Sequence, residues 1–454
     1  MSAATAAPAP PTAAPAAPAA PAARPFQIRR KGASAGVPGG PAPSSEAVFK
    51  NLTVASKNTL SFRLAPTEVA YANALRRVIQ VEVETVAFNA DMLENGTTSD
   101  VKIIKNSTPM SNEMIAHRIG LLPISVSNPL EWDPKEYSFK LNVVNDSSER
   151  LDVKASDIQV LQQRGATEEP LPIPSGEFFA LDPISQDTPL IAVLKGRVGN
   201  QEPEALVFEA TAAAGIGRQN ARYIPVSQCS YKYTLDENPL RRKEFFENWL
   251  KNHKKVDPSE LETNTTRRGE LEREFATMEI ARCFLTDDNN EPYSFDFIME
   301  SMGVLDPLYI VARALQVLQQ KTQQYASIET GDLPENITVS PADARMKGYD
   351  FLFKREDHTL GNLLQTWIDT NLYASGDVTF VGYKIPHPLK DEMVFRIGVK
   401  DGKESTAREV ISRAARNLSD TFKQWGAQWS QAGTAAANPT IRSAIGTAAA
   451  RQRF

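Results

Sequence analysis

The chain has 454 residues, a net charge of −5, 41% hydrophobic residues and 23% charged residues, which at about 150 residues per domain allows two or three domains with a sizeable core. The acidic balance is a poor match for phosphate backbones, which take clustered Lys and Arg. Two cysteines, Cys229 and Cys283, exclude a disulfide framework and a Cys-rich zinc site, and no apolar run approaches the roughly 18 residues of a membrane helix.

Residues 1–45 are rich in Ala, Pro and Gly and lack the bulky apolar side chains whose burial offsets backbone entropy, so they read as a disordered tail. The segment has no acid before Glu46 and carries Arg24, Arg29, Arg30 and Lys31, a transit-peptide-like composition, but ten prolines oppose the amphipathic helix such peptides use. Order begins near Val48 with two short strands, Leu52–Val54 and Leu60–Leu64. A helix is predicted from about Thr67, with Glu68 in its first turn; Ala72, Leu75 and Ile79 share one face, Arg77 lies roughly opposite and Arg76 near the edge. A strand follows over 81–88. A second helix fits Pro109–Ile119, with Thr108 as N-cap and Gly120 ending it.

From Ser127 to Thr234 short alternating stretches among turn residues predict a β-rich domain. Residues 240–284 are charged and helical in pattern, with Phe245, Phe246, Trp249 and Leu250 as the stripe of a packed helix. A strand is predicted over 293–300 and a helix over 306–325, started by Asp306–Pro307. Residues 326–348 show no period and read as a linker. A second unit over 349–430 runs strand, helix, strand, strand, helix, and the tail from Gln431 reads as flexible.

Few residues invite a catalytic reading. Gly215-Ile216-Gly217 lacks the third glycine of a dinucleotide loop, since position 220 is Asn. Glu113 and His117 are four apart on one helix with Arg118 beside them, but no second His or carboxylate completes a metal set. Asp357-His358 precedes Thr359-Leu360, and helix capping by Asp357 or Thr359 explains the pair without a nucleophile. No Gly-x-Ser-x-Gly signature occurs, and four histidines, His117, His253, His358 and His387, leave few general bases. Two adjacent helical arginines, Arg76 and Arg77, would on their own be a solvated face.

Four motifs change that assessment. Ala72-Asn73-Ala74-Leu75-Arg76-Arg77-Val78 with Val83–Ala87, and Ser111-Asn112-Glu113-Met114-Ile115-Ala116-His117-Arg118-Ile119-Gly120-Leu121-Leu122-Pro123-Ile124, closely resemble the larger alpha-like subunit of archaeal and eukaryotic RNA polymerases. Gly215 to Val226 resembles the glycine-containing loop of that subunit's insertion domain, and Phe295 to Leu318 its returning strand and long helix. Lys354 to Leu364, with Gly382 to Leu389, resembles the smaller alpha-like subunit. The resemblances cover nearly everything from about 48 to 430. One departure is that the zinc-ligating cysteines of the polymerase II insertion domain are missing, so no zinc or other cofactor is expected. Another is the joining of two normally separate chains, which the resemblance leads one to expect of large DNA viruses. A flexible connector between the two units reaches about 25 Å and holds the partners at roughly millimolar effective concentration.

The resemblance implies an α+β fold. Residues 46–126 and 288–325 would form the larger dimerisation domain, 127–287 its insertion and 349–430 the smaller domain, the two packing as an intramolecular pseudo-dimer. It implies a non-catalytic assembly subunit that binds the second-largest and then the largest polymerase subunit, alongside other small subunits, without sequence-specific nucleic-acid contact or membrane attachment. The interface residues it implies are Asn73, Arg76, Arg77, Glu113, His117, Arg118, Gly217, Asp357, His358, Leu360, Asn362 and His387. Arg76 and Arg77 would face the large subunits, an Arg fork being able to hold a carboxylate in two hydrogen bonds. Localisation would follow the polymerase: nucleus, viral factory or virion. A free-standing transcription regulator on the same fold is the alternative.

Overall fold

The computed structural model describes residues 47–91, 100–164, 168–182, 184–257, 265–343 and 346–437. The N-terminal tail expected over 1–45 lies outside them. The chain first lays down a hairpin, β1 (Phe49–Val54) and β2 (Thr59–Leu64), in which Leu60, Phe62 and Leu64 alternate inward against Ser61 and Arg63. Helix α1 (Val69–Val81) buries Ala72, Ala74, Leu75, Val78 and Ile79. Its start differs from the expectation: Glu68 is the N-cap position, not part of the first turn.

The chain then leaves this layer. It runs through β3 (Glu84–Ala87), β4 (Val101–Asn106), α2 (Asn112–Gly120), β5 (Tyr137–Asn145), β6 (Leu151–Lys154), β7 (Gln159–Gln162), β8 (Leu171–Ile173), β9 (Leu190–Leu194), β10 (Glu204–Ala210) and β11 (Ala213–Ile216). Strands β4-β10-β5-β7-β8 form one antiparallel sheet, with β6–β9 and β3–β11 as two-stranded ribbons. Phe88, Ile115, Ile119, Phe139, Phe179 and Phe208 fill a separate core here. Two expectations are corrected. Ser111, not Thr108, caps α2, accepting a hydrogen bond from Met114 N, while the Thr108 hydroxyl donates to Asn106 Oδ1. The boundaries of the insertion also shift: β4 and α2 belong to this second core rather than to the dimerisation layer, because Ile115, Ala116 and Ile119 face it.

The chain returns with β12 (Val226–Tyr233), which lies in the first sheet and not in the insertion. Helices α3 (Pro239–Trp249) and α4 (Thr265–Glu274) follow and enclose a small core of Trp249, Leu250, Leu271 and Phe275. Strand β13 (Phe295–Ser301) and helix α5 (Pro307–Gln323) complete the first half; Asp306 caps α5 by accepting from Leu308 N and Tyr309 N.

The second half is β14 (Ile337–Pro341), β15 (Gly348–Lys354), α6 (His358–Leu372), β16 (Val378–Lys384), β17 (Glu392–Val399) and α7 (Glu404–Ala437). Strand β14 lies in the segment expected to be a linker. It was hidden because only Ile337 of its residues is buried, so an edge strand with one apolar anchor shows no period. Helix α7 likewise runs past the expected end near 425, because Trp429 is buried against Phe49 and Phe62 of the first half.

The two halves repeat one plan. The first sheet has the order β1-β2-β13-β12 and the second β14-β15-β17-β16, with α1 and α6, and α5 and α7, at matching places. Leu64 sits beside Phe295 in one sheet as Phe353 sits beside Met393 in the other. A single core runs through both, joining Leu60, Phe62, Leu75, Phe297 and Leu318 to Phe351, Phe353, Leu364, Phe395, Leu418 and Trp429. Each such side chain stabilises by about 1.5–3 kcal/mol on full burial. The α+β intramolecular pseudo-dimer is thus the observed fold.

Candidate functional site

Where the halves meet, the apolar core gives way to charge. Asp357 occupies the N-cap of α6, accepting from Thr359 N at 2.8 Å. Across the seam Arg77 Nη2 donates to Asp357 Oδ2 at 2.7 Å and Arg77 Nε to Thr359 Oγ1 at 2.8 Å. Arg218, from the turn after β11, contacts the same carboxylate, donates to Arg355 O at 3.0 Å and lies 3.6 Å from Asp391. Burial would raise the Asp357 pKa, but the helix-terminal N–H and the two guanidinium groups outweigh it and hold the carboxyl far below its usual range.

Behind this pair Lys321 of α5 lies 3.1 Å from Glu82 and 3.0 Å from Glu356, all three nearly inaccessible. Glu356 also accepts from Tyr325 Oη at 2.9 Å and Gln324 Nε2 at 3.1 Å. Desolvation dominates at Glu356 and raises its pKa despite the ammonium. Burial alone would lower the Lys321 pKa, but the Glu356 and Glu82 carboxylates hold it above its ordinary value. Such a cluster contributes little net stability over an apolar one, yet is costly to break one partner at a time.

Gly217 positions Arg218. A Cβ at 217 would fall 2.8 Å from Gln80 O and 3.1 Å from Val81 Cα, so only glycine lets this turn lie on the end of α1.

Arg76 behaves differently from Arg77. Its guanidinium is bound by Asn73 Oδ1 at 2.9 Å and 3.1 Å and by Gln80 Oε1 at 2.6 Å. Among the described residues no carboxylate pairs with it, so a half-exposed cation is held in place with its charge unmatched. The expectation that both arginines face outside partners is therefore corrected for Arg77, whose fork is occupied within the chain because the N-terminus of α6 lies opposite it.

The remaining expected residues are dispersed. Glu113, His117 and Arg118 lie on the exposed side of α2, where Arg118 Nη2 donates to Leu190 O at 2.8 Å. His358 is exposed, its Nδ1 3.2 Å from Tyr383 Oη. Leu360 is fully buried and is core, not contact surface. Asn362 is half-buried on α6, and His387 is exposed, its Nδ1 accepting from Leu389 N at 3.1 Å. Burial pushes the Cys229 thiol up to about 12, which leaves it protonated and unreactive at neutral pH. Among the described residues no helix is long and apolar enough to cross a membrane.

Arg218, Lys321, Glu82 and Glu356 were not among the expected site residues. Arg218 adjoins Gly217 and Glu356 adjoins Asp357 inside the quoted motifs, so both were within reach. A single Lys on a helix reads as solvated, and nothing local marks Lys321 as buried.

A model described as the RNA polymerase Rpb3/Rpb11 dimerisation domain matches residues 61–322, and a second of the same description matches 349–427. The chain belongs to the Rpb3/Rpb11 dimerisation-domain family, the alpha-like class of RNA polymerase subunit. Among individual proteins, it is similar to DNA-directed RNA polymerase II subunit RPB3 of Schizosaccharomyces pombe, 25% identical over 270 residues covering 59% of this chain and 82% of that one. It is similar to subunit Rpo3 of Pyrococcus horikoshii at 25% over 281 residues, 60% and 93% of the two chains. With Rpo3 of Methanobrevibacter smithii it shares 31% identity over 175 residues, 38% and 53%.

Proposed function

We propose that this chain is the assembly platform of a multisubunit DNA-directed RNA polymerase, a larger alpha-like subunit joined to a smaller one. The observation that carries this reading is the dimerisation fold occurring twice in one chain, in the same strand order, closed over one core. Such a closed pair presents a rigid surface on which large subunits can be gathered, with no chemistry of its own. The second-largest subunit binds first and the largest follows, with other small subunits at the periphery. Arg76 is the contact we assign to a large partner. A guanidinium already oriented by Asn73 and Gln80 loses little freedom on meeting a carboxylate. The fused layout fits a polymerase encoded by a large DNA virus, in which case the chain works in the host nucleus, a viral factory or the virion.

The test is recovery of the second-largest subunit on tagged wild-type chain and on Arg76→Ala. Retention by the wild type at high salt and loss by the variant, with unchanged thermal stability, supports the proposal. A wild-type chain that recovers only substoichiometric, salt-labile polymerase would favour a free-standing regulator instead.

A further inference from the structure

The repeat allows the two seams of the pseudo-dimer to be compared position by position. Strand register sets Leu64 against Phe353, and equal spacing to the following helix sets Glu68 against Asp357, Asn73 against Asn362 and Arg77 against Thr366. Both α1 and α6 therefore carry an acid at the N-cap, but the acids meet different surroundings. Asp357 receives Arg77 and Arg218. Glu68 Oε1 accepts a hydrogen bond from Thr370 Oγ1 at 3.2 Å. Helix α6 contains no Lys or Arg at all, and Arg218 has no counterpart, since it comes from an insertion that the second half lacks.

We infer that the Arg77–Arg218–Asp357 cluster is a pairing code that makes the first half take a second half in preference to a copy of itself. The inference rests on the fused-pair reading. In a like pair of second halves, Asp357 would face Thr366 and Glu356 would face Ser419, which the register of Phe295 with Met393 sets against Lys321, and two largely buried carboxylates would lose the cations of Arg77, Arg218 and Lys321. A like pair of first halves would bring those three cations to Thr67 and Glu68, one carboxylate where two now stand. Apolar packing alone is a weak discriminator, because both halves offer the same layout of strands and helices. Charge supplied from only one side discriminates by penalising the wrong partner. The insertion thereby has a role in partner choice, as the source of Arg218.

The experiment uses full-length chains with two different tags. One carries Asp357→Arg, the other Arg77→Asp with Arg218→Asp, and a third carries all three changes. The first two should each lose the closed monomer in light scattering. Co-expressed, each tag should recover the other chain on the order of tenfold or more above a wild-type mixture, since opposite charges now meet only between chains. The triple variant should return to a closed monomer. Single-sided variants that stay as compact as wild type, with no cross-recovery, would overturn the inference. If they aggregate, the triple variant decides: a closed monomer supports the code and an aggregate overturns it. None of these readouts involves polymerase, so a failed code is distinguishable from a failed function.

Discussion

Replacing Lys321 by Met removes one cation and keeps the length of the stem. In the native seam Lys321 Nζ lies 3.1 Å from Glu82 and 3.0 Å from Glu356, with side chains 10%, 9% and 5% exposed. The variant leaves two buried carboxylates facing each other, and removing one partner of such a buried set costs about 3–5 kcal/mol. The loss should depend on pH. Burial already raises the Glu356 pKa above its ordinary value, and without the ammonium it rises further. A carboxyl with a raised folded pKa binds its proton more tightly when folded, so the folded state regains stability as pH falls through that pKa. Urea denaturation followed by tryptophan fluorescence, to which Trp367, Trp425 and Trp429 of the second half contribute three of the five emitters, measures both effects. The expected result is the full loss near pH 8 and a loss shrinking steadily as pH falls toward the ordinary carboxyl value. A loss below about 1 kcal/mol, or one that does not change with pH, would refute the stranded-carboxylate reasoning.

Asp357→Asn keeps a good N-cap and removes the charge, so about 1.5–3 kcal/mol should disappear at neutral pH. Because the Asp357 pKa is lowered in the fold, that contribution is present above the unfolded value and fades as pH falls through the folded one; variant and wild type should converge in strong acid. Trp429→Ala should cost about 3–5 kcal/mol in urea denaturation, since it removes two aromatic contacts and the Nε1 hydrogen bond to Leu308 O at 3.0 Å. Gly217→Ala forces the turn off the end of α1 and should lower stability by about 1–3 kcal/mol, read by thermal unfolding, with faster hydrogen exchange around 216–219. Arg77→Ala should destabilise the seam, whereas Arg76→Ala should leave stability within about 0.5 kcal/mol and act on partner binding alone.

Where side-chain pattern carries the signal, the fold was legible in the sequence. The alternation of Leu60, Phe62 and Leu64 and the spacing of Ala72, Leu75 and Ile79 gave β2 and the buried face of α1 directly. The Asp306–Pro307 and Asp357 starts were legible because capping is a local event. Strand β14 was not, since its pairing with β15 supplies what its own residues lack. Nor was the true length of α7: residues 426–437 carry no charge and, apart from Trp429, are mostly Ala, Gly and small polar residues that read as a tail, and Phe49, which Trp429 packs against, lies at the other end of the chain. The site divides the same way. Motif resemblance drew attention to Arg77, Gly217 and Asp357, which the fold brings to one seam, but it also included Leu360, which is core. Lys321 and Glu82 acquire meaning only when α5, α1 and the N-terminus of α6 converge.

The most direct measurement is native mass spectrometry of the complex recovered on this chain at high salt from its natural source. One copy of the chain with two very large subunits, no separate smaller alpha-like subunit, and RNA synthesis in the same fraction is the expected result. Two copies per complex, a separate smaller alpha-like partner, or a chain recovered free of large subunits would contradict the fused assembly platform.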